Sequence, residues 1–547
     1  MPPPAPAIPL PVLQGQVDPC RPQRRSRMGR RRALVLLGVH ALAAVHVAHW
    51  LSAGRSLTPL EPSEAMEFCK HGLVNAGALF FGLTILSTSL LGRWFCGWAC
   101  HLVALQDLCR WLMLRAGITP RPLRSRLLRW VPALAFGYMF LWPLAYRAVR
   151  GDSLAPQALE LSTPGFWASF PGVAVALLTF AVCGFAAVYF LGAKGFCTYA
   201  CPYGAAFGAV DRLAPGRIRV TDACQGCGRC TAVCSSNVVV HEEVRHYGMV
   251  VDPGCMKCLD CVHSCPTNAL YFGFGAPALG ARGRDASGVR RPSWLPWTED
   301  VGLALLFALA FWSFHGLNGQ VPFLLALGWA AVLAFLALVA ARLLYAADVK
   351  LLRWRLKQHG RLQRAGLAFA GVFVLLEGVW AHSALVQYHG ARREQALRRG
   401  AWAEAERHGA FVERWSLLPD PSNGFDLAYA ALRSGRPQEF ESRMRALLAG
   451  DPRRFLLRYE YGNFLARSGR AAEANSQYQS ALEAVARERV PAPARVELHV
   501  AYGLTLAASG RYADAEVQGG LALILAPGDP LALQLLQDLR NRAPEQD

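Results

Sequence analysis

The chain has 547 residues, is 53% hydrophobic with a mean hydropathy of +0.22, and carries a formal net charge of +19. That length allows several domains, and that hydropathy excludes an ordinary soluble protein. In a membrane protein basic residues set orientation first, so the charge is read as topology and not as nucleic-acid binding.

Residues 1–20 begin MPPPAPAIPLP and are Pro-rich; with the basic run RPQRRSRMGRRR they make 1–32 an expected disordered, cytoplasmic N-terminus. The apolar run from Ala33 to about Ala53 is too long for a signal peptide, so it reads as an uncleaved first span. Further apolar runs predict spans near 72–91, 127–147, 171–192, 299–315, 321–345 and 366–388, each of about the length a bilayer requires. Seven spans put the clusters Arg24–Arg32, Arg121–Arg129 and Lys350–Arg364 on one side, which the positive-inside rule makes cytoplasmic. The expected layout is then a four-span membrane domain at 33–192, a cytoplasmic segment at 193–275, a linker at 276–298, three more spans within 299–388 and a periplasmic tail at 391–547. Cysteine-rich cytoplasmic loops of this kind point to a bacterial inner membrane.

The tail holds a repeat. Gly400, Gly435, Gly469 and Gly510 recur in RRGAWAEA, RSGRPQEF, RSGRAAEA and ASGRYADA, at spacings of 35, 34 and 41. A period near 34 resembles tetratricopeptide repeats: Gly closes one helix, small Ala residues let the pair pack, and Tyr478 fills the seam. Arrays of this kind form concave surfaces that bind protein segments. The expected fold is therefore mainly α: a polytopic helical membrane protein with an inserted ferredoxin-like α+β segment and a C-terminal α-solenoid.

Of the 16 cysteines, eight lie between Cys224 and Cys265. CQGCGRCTAVC supplies Cys224, Cys227, Cys230 and Cys234, and CMKCLDCVHSCP supplies Cys255, Cys258, Cys261 and Cys265. Both follow C-x2-C-x2-C-x3-C, the spacing of two-cluster ferredoxins, in which the fourth cysteine of each run serves the other cluster. One 4Fe–4S cluster is thus expected on Cys224, Cys227, Cys230 and Cys265, and the second on Cys255, Cys258, Cys261 and Cys234. Ser235 stands where Pro usually follows the first run, a change that touches the turn and no ligand.

Two further pairs end apolar runs: Cys96 and Cys100 in RWFCGWAC, and Cys197 and Cys201 in KGFCTYACPYG. Spaced i, i+4, each pair would share one helix face. These two motifs followed by the doubled ferredoxin spacing resemble the membrane polyferredoxins typified by NapH, a group that includes the C-terminal part of NosR and the copper-reducing assembly protein CcoG. The resemblance covers roughly residues 33–275. It implies membrane electron transfer between the quinone pool or cytoplasmic carriers and a periplasmic acceptor or metal centre. The first copy has His101 where the family has Pro, which makes His101 a candidate extra ligand. For the four thiols three roles stay open: a third metal site or cluster, redox-active dithiols, or inert packing.

His40, His46 and His49 lie in the first span, and His71 lies near Cys69, Glu64 and Glu67; His315, Glu377 and His382 mark later spans. Ionisable groups in spans are costly and usually functional. His46, His49 and His71 are candidates for a quinol site that takes up protons, or for b-type haem. Arg55 and Arg93 read as interface anchors, and Trp94 and Trp98 as an aromatic belt. The whole reads as an iron–sulfur electron-transfer subunit of oxidoreductase type, with quinol dehydrogenation as one form of it. The partners are a membrane, a quinone or redox protein, and a protein held by the repeats. A copper reductase serving oxidase assembly and a redox-sensing scaffold are the alternatives.

Overall fold

A computed structural model describes residues 26–120, 125–166, 172–236, 238–283, 289, 295–317, 321–417, 420–451, 454–485, 490 and 492–542. The Pro-rich start, Arg24 and residues 121–124 of the second basic cluster lie outside these. The chain forms two compact units; the larger comprises Met1–Thr163, Gly172–His315 and Pro322–Gly378, and the smaller is mainly Val379–Asp547.

Among the described residues five helices are long and apolar enough to cross a membrane: Met28–Ala53, Val173–Leu191, Trp297–Phe314, Phe323–Tyr345 and Arg364–Arg398. The two other expected spans are built differently. Residues 72–75 are not helical: Leu73–Asn75 is a strand, and the helix Ala76–Leu91 starts only where the Asn75 side chain accepts from the Ala78 N–H. Its 16 residues reach about 24 Å, short of a full hydrocarbon core. The third expected span is a composite of Val131–Phe136, a π-helical turn Gly137–Leu141 and Trp142–Val149, with Pro132 and Pro143 near the starts of its two α-helical pieces.

The first helix begins at Met28, earlier than Ala33, and this corrects the expected disorder up to residue 32. Arg32 is 6% exposed and pairs with Asp107 at 2.8 Å and Asp260 at 3.1 Å, while the Ser26 hydroxyl donates to Asp260. Two carboxylates thus order a stretch that composition alone marks as loose.

Sequence periodicity missed the small sheets. Ser56–Leu57 pairs antiparallel with Ser162–Thr163, and Leu73–Asn75 pairs parallel with Ala158–Glu160. The basic stretch after the helix Phe323–Tyr345 is a three-stranded sheet, Val349–Leu351, Trp354–Gln358 and Arg361–Leu362. In the ferredoxin-like segment Arg217–Val220 pairs antiparallel with Leu270–Gly273, bracketing both cysteine runs. Its core is Ile218, Val238, Val240, Val244, Val250 and Leu270, packed with Cys255, Cys261 and Cys265.

The smaller unit is an array of helical hairpins. Pro421–Arg433 pairs with Pro437–Gly450, Phe455–Arg467 with Ala471–Val485, and Ala492–Ala508 with Tyr512–Leu525. The four repeat glycines all sit at φ between 71° and 78°, the left-handed conformation that ends a helix. Tyr478 is 1% exposed and donates to Asn463 at 2.8 Å, filling the seam inferred for it. Tyr478→Ala is expected to cost about 3–5 kcal/mol. Hydrogen exchange on the full chain should show faster exchange across 455–485, and unchanged protection there would contradict the packing.

Candidate functional site

The two motif copies fold alike, though not as one continuous helix each. Trp94–Trp98 carries Cys96 and stops; Cys100 is then extended, at φ −77° and ψ 124°, and caps the next helix, His101–Arg115. Gly195–Tyr199 carries Cys197, and Cys201, at φ −74° and ψ 113°, caps Pro202–Asp211. The expectation that each pair lies on one helix face is therefore corrected. Proline fits the first position of a helix and cannot sit in its interior, so Pro202 forces the break. His101 occupies the matching first position of its helix and is exposed.

This break brings the four thiols together. Cys96, Cys197 and Cys201 are buried and Cys100 is half-buried. Burial, with Cys197 and Cys96 alongside, pushes the Cys100 thiol up to about 12. Burial and then Cys197, Cys100 and Cys96 raise Cys201 well above its ordinary value. Four crowded thiols of this kind lose their protons only to a metal or to nearby positive charge.

Positive charge is supplied. Arg93, 4% exposed, points Nη2 at Cys96 Sγ at 3.8 Å and donates through Nη1 to the Pro253 carbonyl at 2.8 Å. Lys194, 0% exposed, pairs with Asp107, which also pairs with Arg32. Gln106 donates to Cys197 Sγ at 3.3 Å. Arg93 and Lys194 each stand three residues before the first cysteine of their motif, a repeat legible in the sequence and overlooked. Arg93 is therefore no interface anchor, because its charge faces thiols.

The ferredoxin-like segment is seated on the first motif. Trp98 Nε1 donates to the Lys257 carbonyl at 3.0 Å, so it docks a loop and does not stand in an aromatic belt. Trp94 Nε1 donates to Ser87 at 3.1 Å. A Cβ on Gly97 would lie 2.1 Å from the Met256 carbonyl oxygen, so only glycine lets that backbone approach. Gly92, at φ 72°, leaves room in the same way for Lys257 and Asp211. Lys257 Nζ bonds Asp211 at 2.8 Å, Arg217 pairs with Asp211 at 3.1 Å, and the Arg93 N–H donates to Asp211 at 2.9 Å.

The eight ferredoxin-type cysteines form two interleaved sets. Cys230 has Cys227, Cys224 and Cys265 as its thiol neighbours, and Cys261 has Cys255, Cys258 and Cys234 among its own. Neither set closes to the spacing of a single-ion site, and among the described residues no three His, Cys, Asp or Glu do. Four thiolates round a four-iron cube stand farther apart than four round one zinc. Two interleaved four-thiol sets in ferredoxin spacing fit iron–sulfur groups. Cys224 is exposed, whereas Cys255, Cys258, Cys261 and Cys265 are buried.

The candidate histidines do not build a comparable site. His46 Nε2 meets the Leu57 carbonyl at 3.1 Å, His49 Nδ1 meets Ser56 Oγ at 3.1 Å, and His71 is exposed at the end of Met66–His71. His46 and His49 thus brace the strand Ser56–Leu57.

A family model described as a 4Fe-4S dicluster domain matches residues 223–270, and one described as a 4Fe-4S binding domain matches twice, at 75–122 and 173–221. The chain is 28% identical over 258 residues to the methylamine utilization ferredoxin-type protein MauN of Methylorubrum extorquens, covering 44% of this chain and 86% of that one. It is 30% identical over 262 residues to YccM of Escherichia coli, named for electron transport, covering 46% of this chain and 68% of that one. It is 27% identical over 197 residues to the ferredoxin-type protein NapH of Haemophilus influenzae, covering 35% of this chain and 66% of that one. A membrane protein with a dicluster ferredoxin segment seated on paired cysteine motifs is an iron–sulfur electron-transfer protein. The chain belongs to the ferredoxin-type family of NapH, MauN and YccM, here joined to a helical repeat array.

Two substitutions test the docking. Gly97→Ala is expected to displace the Met256 loop and change the electron paramagnetic resonance of the cluster beside it; an unaltered spectrum would contradict the seating. Asp211→Asn leaves Lys257 and Arg217 without their buried partner, at a cost of about 3–5 kcal/mol. Thermal unfolding of the purified protein should show this as a lowered midpoint.

Proposed function

We propose that this protein moves electrons between the quinone pool or a cytoplasmic carrier and a respiratory or periplasmic redox partner. The observation that carries the reading is the seating of the Met256 loop on Gly97, held by Trp98 and Lys257. Bound iron–sulfur groups supply one-electron redox chemistry. Cys224, Cys227, Cys230 and Cys265 would hold one 4Fe–4S group, and Cys255, Cys258, Cys261 and Cys234 the other. Exposed Cys224 would give the first set its access to outside carriers, and Met256, between Cys255 and Cys258, sets the second set's loop against Gly97 of the first motif.

Cys96, Cys100, Cys197 and Cys201 would hold a third redox centre. Their surroundings favour an anionic occupant: Arg93 points at Cys96, and the charges of Arg93 and Lys194 both favour the thiolate form of Cys197. Positive charge beside a buried site stabilises thiolates over thiols. It also lowers the cost of adding an electron there.

The positive clusters and an odd number of spans support a cytoplasmic ferredoxin-like segment and a periplasmic repeat tail in a bacterial inner membrane. His46, His49 and His71 would then lie on the periplasmic side, with His46 and His49 bracing the strand Ser56–Leu57 there. In the repeat array Trp402, Tyr429, Phe440 and Phe464 line a groove of about 510 Å3 with Arg433 and Arg467, which supports a role in holding a protein segment.

Metal analysis tests the third centre. Purified protein is expected to contain about twelve irons, three cubes of four, and Cys96→Ala with Cys197→Ala should bring this to about eight. A wild-type content near eight, unchanged in the variant, would remove it. Quinol analogues added to membranes should reduce the clusters; failure at every pH would reverse the proposed direction of flow.

A further inference from the structure

A cavity of about 890 Å3 opens where the third span begins, and Arg93, Arg126, Arg129 and Arg212 are among the residues that line it. Among the described lining residues one carries a carboxylate, Asp252, and its Oδ1 already accepts from the Gly254 N–H at 2.7 Å. Arg93 is 4% exposed, and its Nε has no hydrogen-bond partner among the described residues. The rim is apolar: Trp130 is 67% exposed, Leu213 54% and Leu279 61%.

Arg126 and Arg129 precede the span and can be read as topology signals. Arg93 and Arg212 cannot, because they come from the first motif and from the end of the helix after the second motif. Only the tertiary fold brings all four residues to one hollow. We propose that this cavity binds the phosphate headgroup of an anionic phospholipid, whose chains leave over Trp130 into the bilayer. Guanidinium forks match phosphate oxygens in geometry and charge. Basic pockets at a membrane surface select anionic lipids, and a hollow of this volume is of ligand-site size. A soluble anion would gain nothing from the three exposed apolar side chains at the rim, whereas acyl chains bury against them. The hollow shares Arg93 and Cys197 with the thiol site, while its test reads lipid retention and not electron transfer.

The test uses the purified full chain in nanodiscs of phosphatidylcholine, with or without phosphatidylglycerol, read by native mass spectrometry and thermal unfolding. Phosphatidylglycerol is expected to be retained preferentially and to raise the unfolding midpoint. The double variant Arg129→Gln, Arg212→Gln should retain on the order of tenfold less, as loss of charge-assisted hydrogen bonds predicts. Its midpoint in pure phosphatidylcholine should equal that of the wild type. If the double variant does not fold, Arg212→Gln alone, at an exposed position, gives the same reading with a smaller loss. Equal retention of both lipids, or undiminished retention in the variants, would overturn the proposal. An equal rise produced by inorganic phosphate in phosphatidylcholine discs would overturn it in favour of a soluble phosphate site.

Discussion

Asp211 is wholly buried, and three separate stretches of chain each place a donor on it. The Arg93 N–H comes from the turn into the first motif, Lys257 from between Cys255 and Cys258, and Arg217 from the first ferredoxin strand. A lone buried carboxylate would be strongly destabilising, so the fold must deliver all these partners together. That requirement ties the membrane helices to the cluster-binding loop. A second carboxylate, Asp107, does the same for the first helix and the second motif through Arg32 and Lys194. Asp260 extends that link to the ferredoxin-like segment through Arg32 and Ser26.

The same network sets the electrical character of the thiol site. Each motif places a base, Arg93 or Lys194, three residues ahead of its first cysteine, and the folded chain buries both. Lys194 is paired with Asp107, whereas the Arg93 guanidinium meets Cys96 and the Pro253 carbonyl and, among the described residues, no carboxylate. In a poorly polarisable interior this charge acts over several ångströms with little screening. Negative charge on sulfur is what it stabilises, and an iron–sulfur group ligated by four thiolates is of that sign.

Much of the site was legible in the sequence. The doubled C-x2-C-x2-C-x3-C spacing, the duplicated motif, the apolar runs and the glycine period each encode short-range geometry. They led to the ferredoxin-like segment, the membrane helices and the repeat array. Other features were not legible, because they depend on partners far away in the chain. Arg93 and Trp98 look like interface residues until Pro253 and Lys257 arrive beside them. His46 and His49 look like a redox pair until a short strand takes up their hydrogen bonds. The break after each first cysteine was half visible, since Pro202 announces it in the second copy, while His101 hides it in the first.

The sequence by itself determined the cofactor class, the membrane class and the repeat class, because ligand spacing, hydrocarbon thickness and helix periodicity all act along the chain. The tertiary structure alone decided which cysteines stand together, which loop meets the motif and where the arginines converge. Those outcomes rest on Gly97 admitting a carbonyl, on Asp211 collecting donors and on helices packing side by side. Each is a contact between segments far apart in the chain, and no local spacing can encode it.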